Sequence, residues 1–386
     1  MKNIRSKNWI AGFLILAIIP LIAVACFVVY FDPYFHYHQP YTSAYFYSLY
    51  HQRSQNDGIS RNFDYEGMIT GTSMTENFKT SDAELFFGVD FVKVPYSGAT
   101  FNEINNNIEV ALRHNKNITI IIRGLDMDRM IMDKDAMRYD LGDYPDYLYN
   151  ENPFDDVNYL FNRDVIFNKV YGMATEPEYE GFEPGMTSFD EYSNWMSDYT
   201  FGVNALFPEG IAATDRSTHM EPLSDDEKEI LIGNIRQNVT DIAEQYPDVT
   251  FYCFFTPYSA AWWQERINDG TFEKQLAVEQ LVIEELLKAD NIKLFSFNDH
   301  IEITSDLNNY RDRMHYAEWI NSLMLRYMKD GEGLLTVGNY REYLSAEREL
   351  YLNFDYEGCF ESQTDYEDDL NYAELFHDSI YGGYES

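Results

Sequence analysis

Cysteine is scarce, three in 386 residues, and basic residues are outnumbered, 28 Lys and Arg against 65 Asp and Glu. Each shortage excludes something. Cys26 lies in an apolar run, Cys253 in a strand-like run and Cys359 in an acidic stretch, so no disulfide framework exists. Cys253 reads as a small buried hydrophobe, with a pairing to Cys359 left open. Neither Cys nor His occurs at metal-ligand spacing. His36 and His38, two residues apart, read as interfacial residues, and no metal or organic cofactor is expected. The net charge of −37 argues against nucleic acid, whose phosphates require clustered Lys and Arg. It argues equally against adhesion to an anionic lipid surface. No internal repeat is visible.

What the chain does have is one long apolar run and many aromatics. Lys2, Arg5 and Lys7 precede a run from Trp9 to Phe31 with no charge before Asp32. At about 1.5 Å per residue such a run spans a hydrocarbon core of about 30 Å. The basic flank predicts a cytoplasmic N-terminus, with the main domain extracytoplasmic and the chain single-pass in the cell membrane. A cleaved signal peptide, and a lipidated Cys26 after Ala23-Val24-Ala25, are the competing readings; the apolar run continues past both. Aromatics make up 17% of the chain, with 32 Tyr, which fits a folded domain with aromatic loops and favours carbohydrate as ligand.

Between the ends, near-continuous apolar runs at 67–70, 91–94, 117–123, 249–255 and 292–297 predict central strands covered on both faces. Helical patterns at 101–114, 224–246 and 271–288 alternate with them, and a further helix is expected over 44–61. Ser224 and Glu227 form a capping-box signature. This alternation predicts an α/β fold, a three-layer α/β/α sandwich with a mostly parallel central sheet. The expected organisation is a cytoplasmic stub and transmembrane anchor at 1–34, a juxtamembrane linker and helix at 35–62, and an α/β domain at 63–345. A Tyr- and Asp-rich insertion at 127–223 interrupts that domain and is expected to cap the substrate cleft. The acidic, Tyr-rich residues 346–386 are expected to be a weakly ordered tail.

Two motifs carry chemistry. Gly71-Thr72-Ser73 ends the first strand, where backbone N–H groups at a helix start favour a nucleophilic serine and its oxyanion. Far downstream, Asp312-Arg313-Met314-His315 offers a carboxylate three residues before an imidazole, the only such spacing among eight His. In this arrangement the carboxylate orients, the imidazole takes the proton and the hydroxyl attacks. Gly98, after the second strand, brings an unhindered N–H to the same sheet edge, and Gly124-Leu125-Asp126 delivers a third loop there.

Together these residues resemble the SGNH/GDSL hydrolase-like superfamily, whose fold is SGNH/flavodoxin-like. The similarity is to the membrane-anchored cell-envelope branch that includes DltD-like proteins and polysaccharide O-acetylation partners. Gly71-Thr72-Ser73, Ser97-Gly98, Thr256-Pro257-Tyr258-Ser259 and Asp312 to Tyr316 carry the resemblance. It implies a serine esterase or O-acyltransferase with Ser73, Asp312 and His315 as triad and the Ser73 and Gly98 N–H groups as oxyanion donors. The implied substrate is an acyl ester, acetyl included, of a cell-envelope polysaccharide or polymer, and the implied partner is a membrane-bound O-acyltransferase. The third block departs from the family: Gly124-Leu125-Asp126 lacks the Asn that donates to the oxyanion, leaving Asn77 and Arg123 as candidate replacements. The alternative reading is therefore a catalytically weak or inactive envelope protein that binds glycan or the acyltransferase.

Overall fold

The computed structural model describes residues 2–141, 144–176, 183–365 and 372–384. Parts of the expected insertion (142–143 and 177–182) and of the expected tail (366–371 and 385–386) lie outside the described residues. The chain is mixed α/β and about 52% helical, with a mostly parallel central sheet and one N-terminal apolar helix. It divides into two compact units, Met1–Phe63 with Asp143–Ser188, and Asp64–Gly142 with Phe189–Ser386.

The first unit is built around the end of the apolar helix Lys2–Phe31. Its membrane-length stretch, Asn8–Phe31, is almost wholly exposed, yet Val28 and Phe31 near its end are buried. They pack with Tyr34, Leu148, Tyr159, Val165 and Val170. Burying these side chains stabilises the cluster by roughly 25 cal/mol per Å² removed from water. Asp32 ties off the helix: its carboxylate accepts the N–H of His36 (3.0 Å), Tyr37 (2.7 Å) and His38 (3.0 Å), and the Tyr159 hydroxyl (2.8 Å). The expected linker is thus an ordered turn. The helix predicted over 44–61 forms only at Gln52–Asn62. Before it, β1 (Phe46–Tyr47) pairs in parallel with β5 (Gly185–Met186), a partner that local pattern does not reveal. Gly58 is required in that helix, because a Cβ there would fall on the Tyr34 carbonyl.

The second unit contains β2 (Gly67–Gly71), β3 (Phe91–Pro95), β4 (Ile120–Leu125), β6 (Thr250–Phe255), β7 (Ile292–Phe295) and β8 (Leu334–Leu335) in the order β3-β2-β4-β6-β7-β8. The pairs are parallel except β7–β8. β2 to β4 are almost entirely buried, which explains their near-continuous apolar sequence. The helices expected at 101–114 and 271–288 form at Phe101–His114 and Phe272–Leu286, and both halves of the Ser224–Glu227 capping box are made. The strand expected from 117 begins three residues later. The order reverses between β3-β2 and β4-β6, so the crevice for a ligand in an open α/β sheet falls at the carboxyl ends of β2 and β4.

Two expectations are corrected. The 127–223 insertion is not one block: 143–188 belong to the unit of the apolar helix, whereas 127–142 and 189–223 belong with the sheet. The described residues of 346–386 are not a loose tail. The helices Tyr340–Asn353, Tyr356–Glu361 and Tyr372–Tyr381 bury Tyr351, Tyr356, Phe360 and Ile380. Cys26, Cys253 and Cys359 are all free, and Cys253 is fully buried.

Candidate active site

β2 ends at Gly71, and the chain turns at once into a short 3-10 helix, Ser73–Thr75. The tightness of this turn rests on two glycines. A Cβ on Gly71 would meet the Thr75 methyl at 2.6 Å, and one on Gly124 of β4 would meet the same methyl at 3.0 Å. Thr72 caps the helix by accepting the Met74 N–H (3.3 Å), and the Thr75 hydroxyl donates to the Thr72 carbonyl (2.9 Å). Ser73 stands at the first helical position, where its N–H has no intrahelical acceptor and is open to a ligand. Helix Glu318–Asp330 supports the turn from behind, with Asn321 Nδ2 donating to the Met74 carbonyl (3.2 Å).

Asp312 and His315 sit at the tip of a closed loop rather than at a helix start. Tyr310 and Tyr316 form an antiparallel bridge, Arg311 N–H donates to the His315 carbonyl (3.1 Å) and Ala317 N–H to that of Asn309 (2.8 Å). The turn after β6 holds this loop. Ser259 donates to the Arg313 carbonyl through both N–H (3.1 Å) and hydroxyl (2.8 Å), and the Tyr310 hydroxyl donates to the Pro257 carbonyl (2.8 Å). The Thr256–Ser259 segment thus positions the base loop.

Ser73 Oγ lies 2.9 Å from His315 Nε2, across 242 residues of sequence. On the other side of the ring, His315 Nδ1 is 2.8 Å and 3.0 Å from the two Asp312 oxygens. Asp312 Oδ1 also accepts the N–H groups of Met314 and His315, each at 2.9 Å. Burial pushes the Asp312 carboxyl up, but the His315 ring and these N–H groups outweigh it and bring it to about 2. An ionised Asp312 only accepts, so His315 carries its proton on Nδ1 and presents Nε2 as the acceptor for the Ser73 hydroxyl.

The remaining predicted residues divide. Gly98 lies at φ +63° in the turn after β3, next along the sheet edge, where Tyr96 N–H donates to the Gly71 carbonyl (2.8 Å). Asn77 is buried; its Oδ1 accepts the Trp195 N–H (3.1 Å), and its Nδ2 has no partner among the described residues. Arg123 is corrected as an oxyanion donor. It is fully buried, its guanidinium donates to the carbonyls of Asn238 (2.6 Å) and Phe101 (3.4 Å), and burial lowers it to about 10. Alternation along β4 sends its side chain to the face opposite the one on which Gly124 approaches the nucleophile turn.

Three groups at the site make contacts that sequence reasoning does not reveal. Asp126, just beyond β4, accepts the Thr72 hydroxyl and, at 3.3 Å, the Tyr258 hydroxyl; burial raises its carboxyl. Trp195 packs edge-on to the His315 ring at 5.8 Å. The Arg311 guanidinium lies 3.9 Å from the centres of both the Trp195 and Tyr199 rings, with Nε 3.4 Å from Asp312 Oδ2. Its adjacency to Asp312 in sequence was the only signal for Arg311; Trp195 gave none. No family model, no curated protein and no solved structure matches this chain.

Proposed function

We propose that the protein is a membrane-anchored serine esterase or acyltransferase of the SGNH type, acting outside the cytoplasm on acyl esters of an envelope glycan or polymer. One observation carries the reading: the continuous hydrogen-bonded line from Ser73 Oγ through His315 to Asp312. The parallel sheet and the site at its carboxyl edge support an SGNH-type α/β/α sandwich. The N-terminal helix, long and apolar enough to cross a membrane, supports the anchor.

In this reading Ser73 Oγ attacks the ester carbonyl while His315 Nε2 takes its proton. The tetrahedral oxyanion is met by the N–H groups of Ser73 and Gly98. His315 returns the proton to the departing alkoxide, leaving an acyl group on Ser73, and Asp312 stabilises the imidazolium meanwhile. A water or a sugar hydroxyl, deprotonated by His315, then releases the acyl group. A membrane-bound O-acyltransferase is the partner this reading expects.

Asp126 favours a second reading. It stands where the family places an oxyanion-donating Asn, and its oxygens face Thr72 and Tyr258. A weak or inactive protein that binds glycan or the acyltransferase would carry this feature. Hydrolysis of short-chain p-nitrophenyl esters by the full-length protein separates the two. Turnover lost in Ser73→Ala supports the enzyme; a folded wild type with no more activity than Ser73→Ala supports the binder.

A further inference from the structure

The segment 154–171 in the first unit is apolar on two sides. Tyr159, Val165 and Val170 are fully buried, in the cluster that grips Val28, Phe31 and Tyr34 at the end of the apolar helix. Yet Phe154 is 85% exposed, Phe167 63%, Tyr171 59%, Val157 50% and Phe161 40%. Val157 and Phe161, like Phe167 and Tyr171, are four residues apart and share a helical face. Single exposed hydrophobes are ordinary, but five on one short segment, interspersed with the exposed polar Asn158, Arg163, Asp164 and Asn168, make an amphipathic surface suited to a headgroup interface.

The position of the segment says by what. A span from Trp9 to Phe27 at about 1.5 Å per residue already crosses about 28 Å of hydrocarbon, which sets Val28–Tyr34 at headgroup depth. The end of the helix carries an interfacial aromatic group: Phe27 and Tyr30 are 40% and 50% exposed, and the Tyr30 ring lies 5.5 Å from Tyr41, itself 44% exposed. Acidic residues of the segment are engaged locally. Asp156 meets His36 (3.4 Å) and Tyr37 (3.0 Å), Asp155 accepts from Asn150 (2.8 Å) and Asp164 from Asn168 (2.6 Å).

We propose that residues 154–171 form a membrane-surface collar, whose outward Phe154, Val157, Phe161, Phe167 and Tyr171 lie in the interface of the lipid leaflet that the helix exits. The proposal rests on the reading that this helix spans a bilayer. With so few cations in the collar, the contact is apolar and needs no anionic lipid.

The test uses the full-length protein with Cys26→Ala and Cys359→Ala, reconstituted in phosphatidylcholine nanodiscs. A polarity-sensitive fluorophore is attached at Leu16→Cys in the span, or at Phe161→Cys or Phe167→Cys in the collar. Lipids brominated on their acyl chains then serve as quenchers. Quenching at 161 and 167 at least half as strong as at 16, measured against discs of unbrominated lipid, is expected. Quenching at 16 with none at 161 and 167 overturns the collar while leaving the span intact. Loss of quenching at 16 as well overturns the span and the collar with it. Positions 161 and 167 that resist maleimide in native membranes but are unquenched in nanodiscs would instead show a protein partner, and also overturn the proposal.

Discussion

Asp312 in the catalytic loop and Asp32 at the end of the apolar helix are cradled alike and titrate in opposite directions. Asp312 accepts two backbone N–H groups and an imidazole; Asp32 accepts three backbone N–H groups and a tyrosine hydroxyl. The Asp312 side chain is 46% exposed and its carboxyl falls to about 2, whereas Asp32 is 1% exposed and burial raises it above 3.8. The number of donors does not decide the outcome; the balance of burial against the partners does, with His315 outweighing partial burial at Asp312 and near-complete burial prevailing at Asp32. Asp312 is therefore a charge held ready to stabilise an imidazolium, and Asp32 is a lock on a fold.

Breaking each carboxylate should expose that division. Asp312→Asn is expected to lower esterase turnover by about 10⁴-fold by favouring the wrong His315 tautomer, while its melting temperature, read by calorimetry, falls only modestly, because the Asn oxygen still accepts the Met314 and His315 N–H groups. Asp32→Ala should do the reverse in stability. It strands three N–H groups and the Tyr159 hydroxyl and costs about 3 kcal/mol, measurable as faster hydrogen exchange across residues 144–176. A large loss of stability in the first variant, or none in the second, would undo the comparison.

Lys93 extends the same logic to a cation. Buried in β3, its ammonium donates to the carbonyls of Glu76 (2.5 Å), Phe78 (2.9 Å) and Asp190 (3.4 Å), and burial lowers it from 10.5 to about 7. Between these values the unfolded chain binds the extra proton, so stability rises with pH from about 7 to 10.5. Lys93→Met should flatten that rise in a series of melting curves. The sign for Asp312 is also set: its depressed carboxyl adds stability above 3.8 that fades as pH falls towards 2. The smallest effect is expected from Ser259→Ala, which keeps the backbone bond to the Arg313 carbonyl but loses the hydroxyl bond. It should cost about 1 kcal/mol and lower turnover several-fold with KM unchanged.

The sheet was legible because β2, β3, β4 and β6 are buried on both faces and so read as apolar runs. The helix Phe101–His114 was legible from its stripe of Ile104, Ile108 and Leu112, all buried. Ser73 and the Asp312–His315 pair were legible because strand ends in such a sheet share one edge. What escaped is held by non-local contacts. Phe46–Tyr47 are strand only because they meet residues 185–186, and β8 is too short to show a period. The collar joins residues 28–34 to 148–170, which no local periodicity links. The C-terminal helices hid behind their acidic composition, since Tyr351, Tyr356 and Phe360 turn inward and the acids mostly face water. At the site, Trp195 reaches His315 from a remote loop, and Arg123 was misplaced because strand alternation sends it away from Gly124.

The central claim is that Ser73 is a nucleophile activated by His315. A fluorophosphonate adduct mapped by peptide mass spectrometry tests it most directly, using the full-length protein, Ser73→Ala and His315→Ala. The account predicts a single adduct on the peptide carrying Ser73, absent in Ser73→Ala and formed far more slowly in His315→Ala. A folded wild type that takes up no probe, or an adduct on another serine that survives in Ser73→Ala, would contradict it.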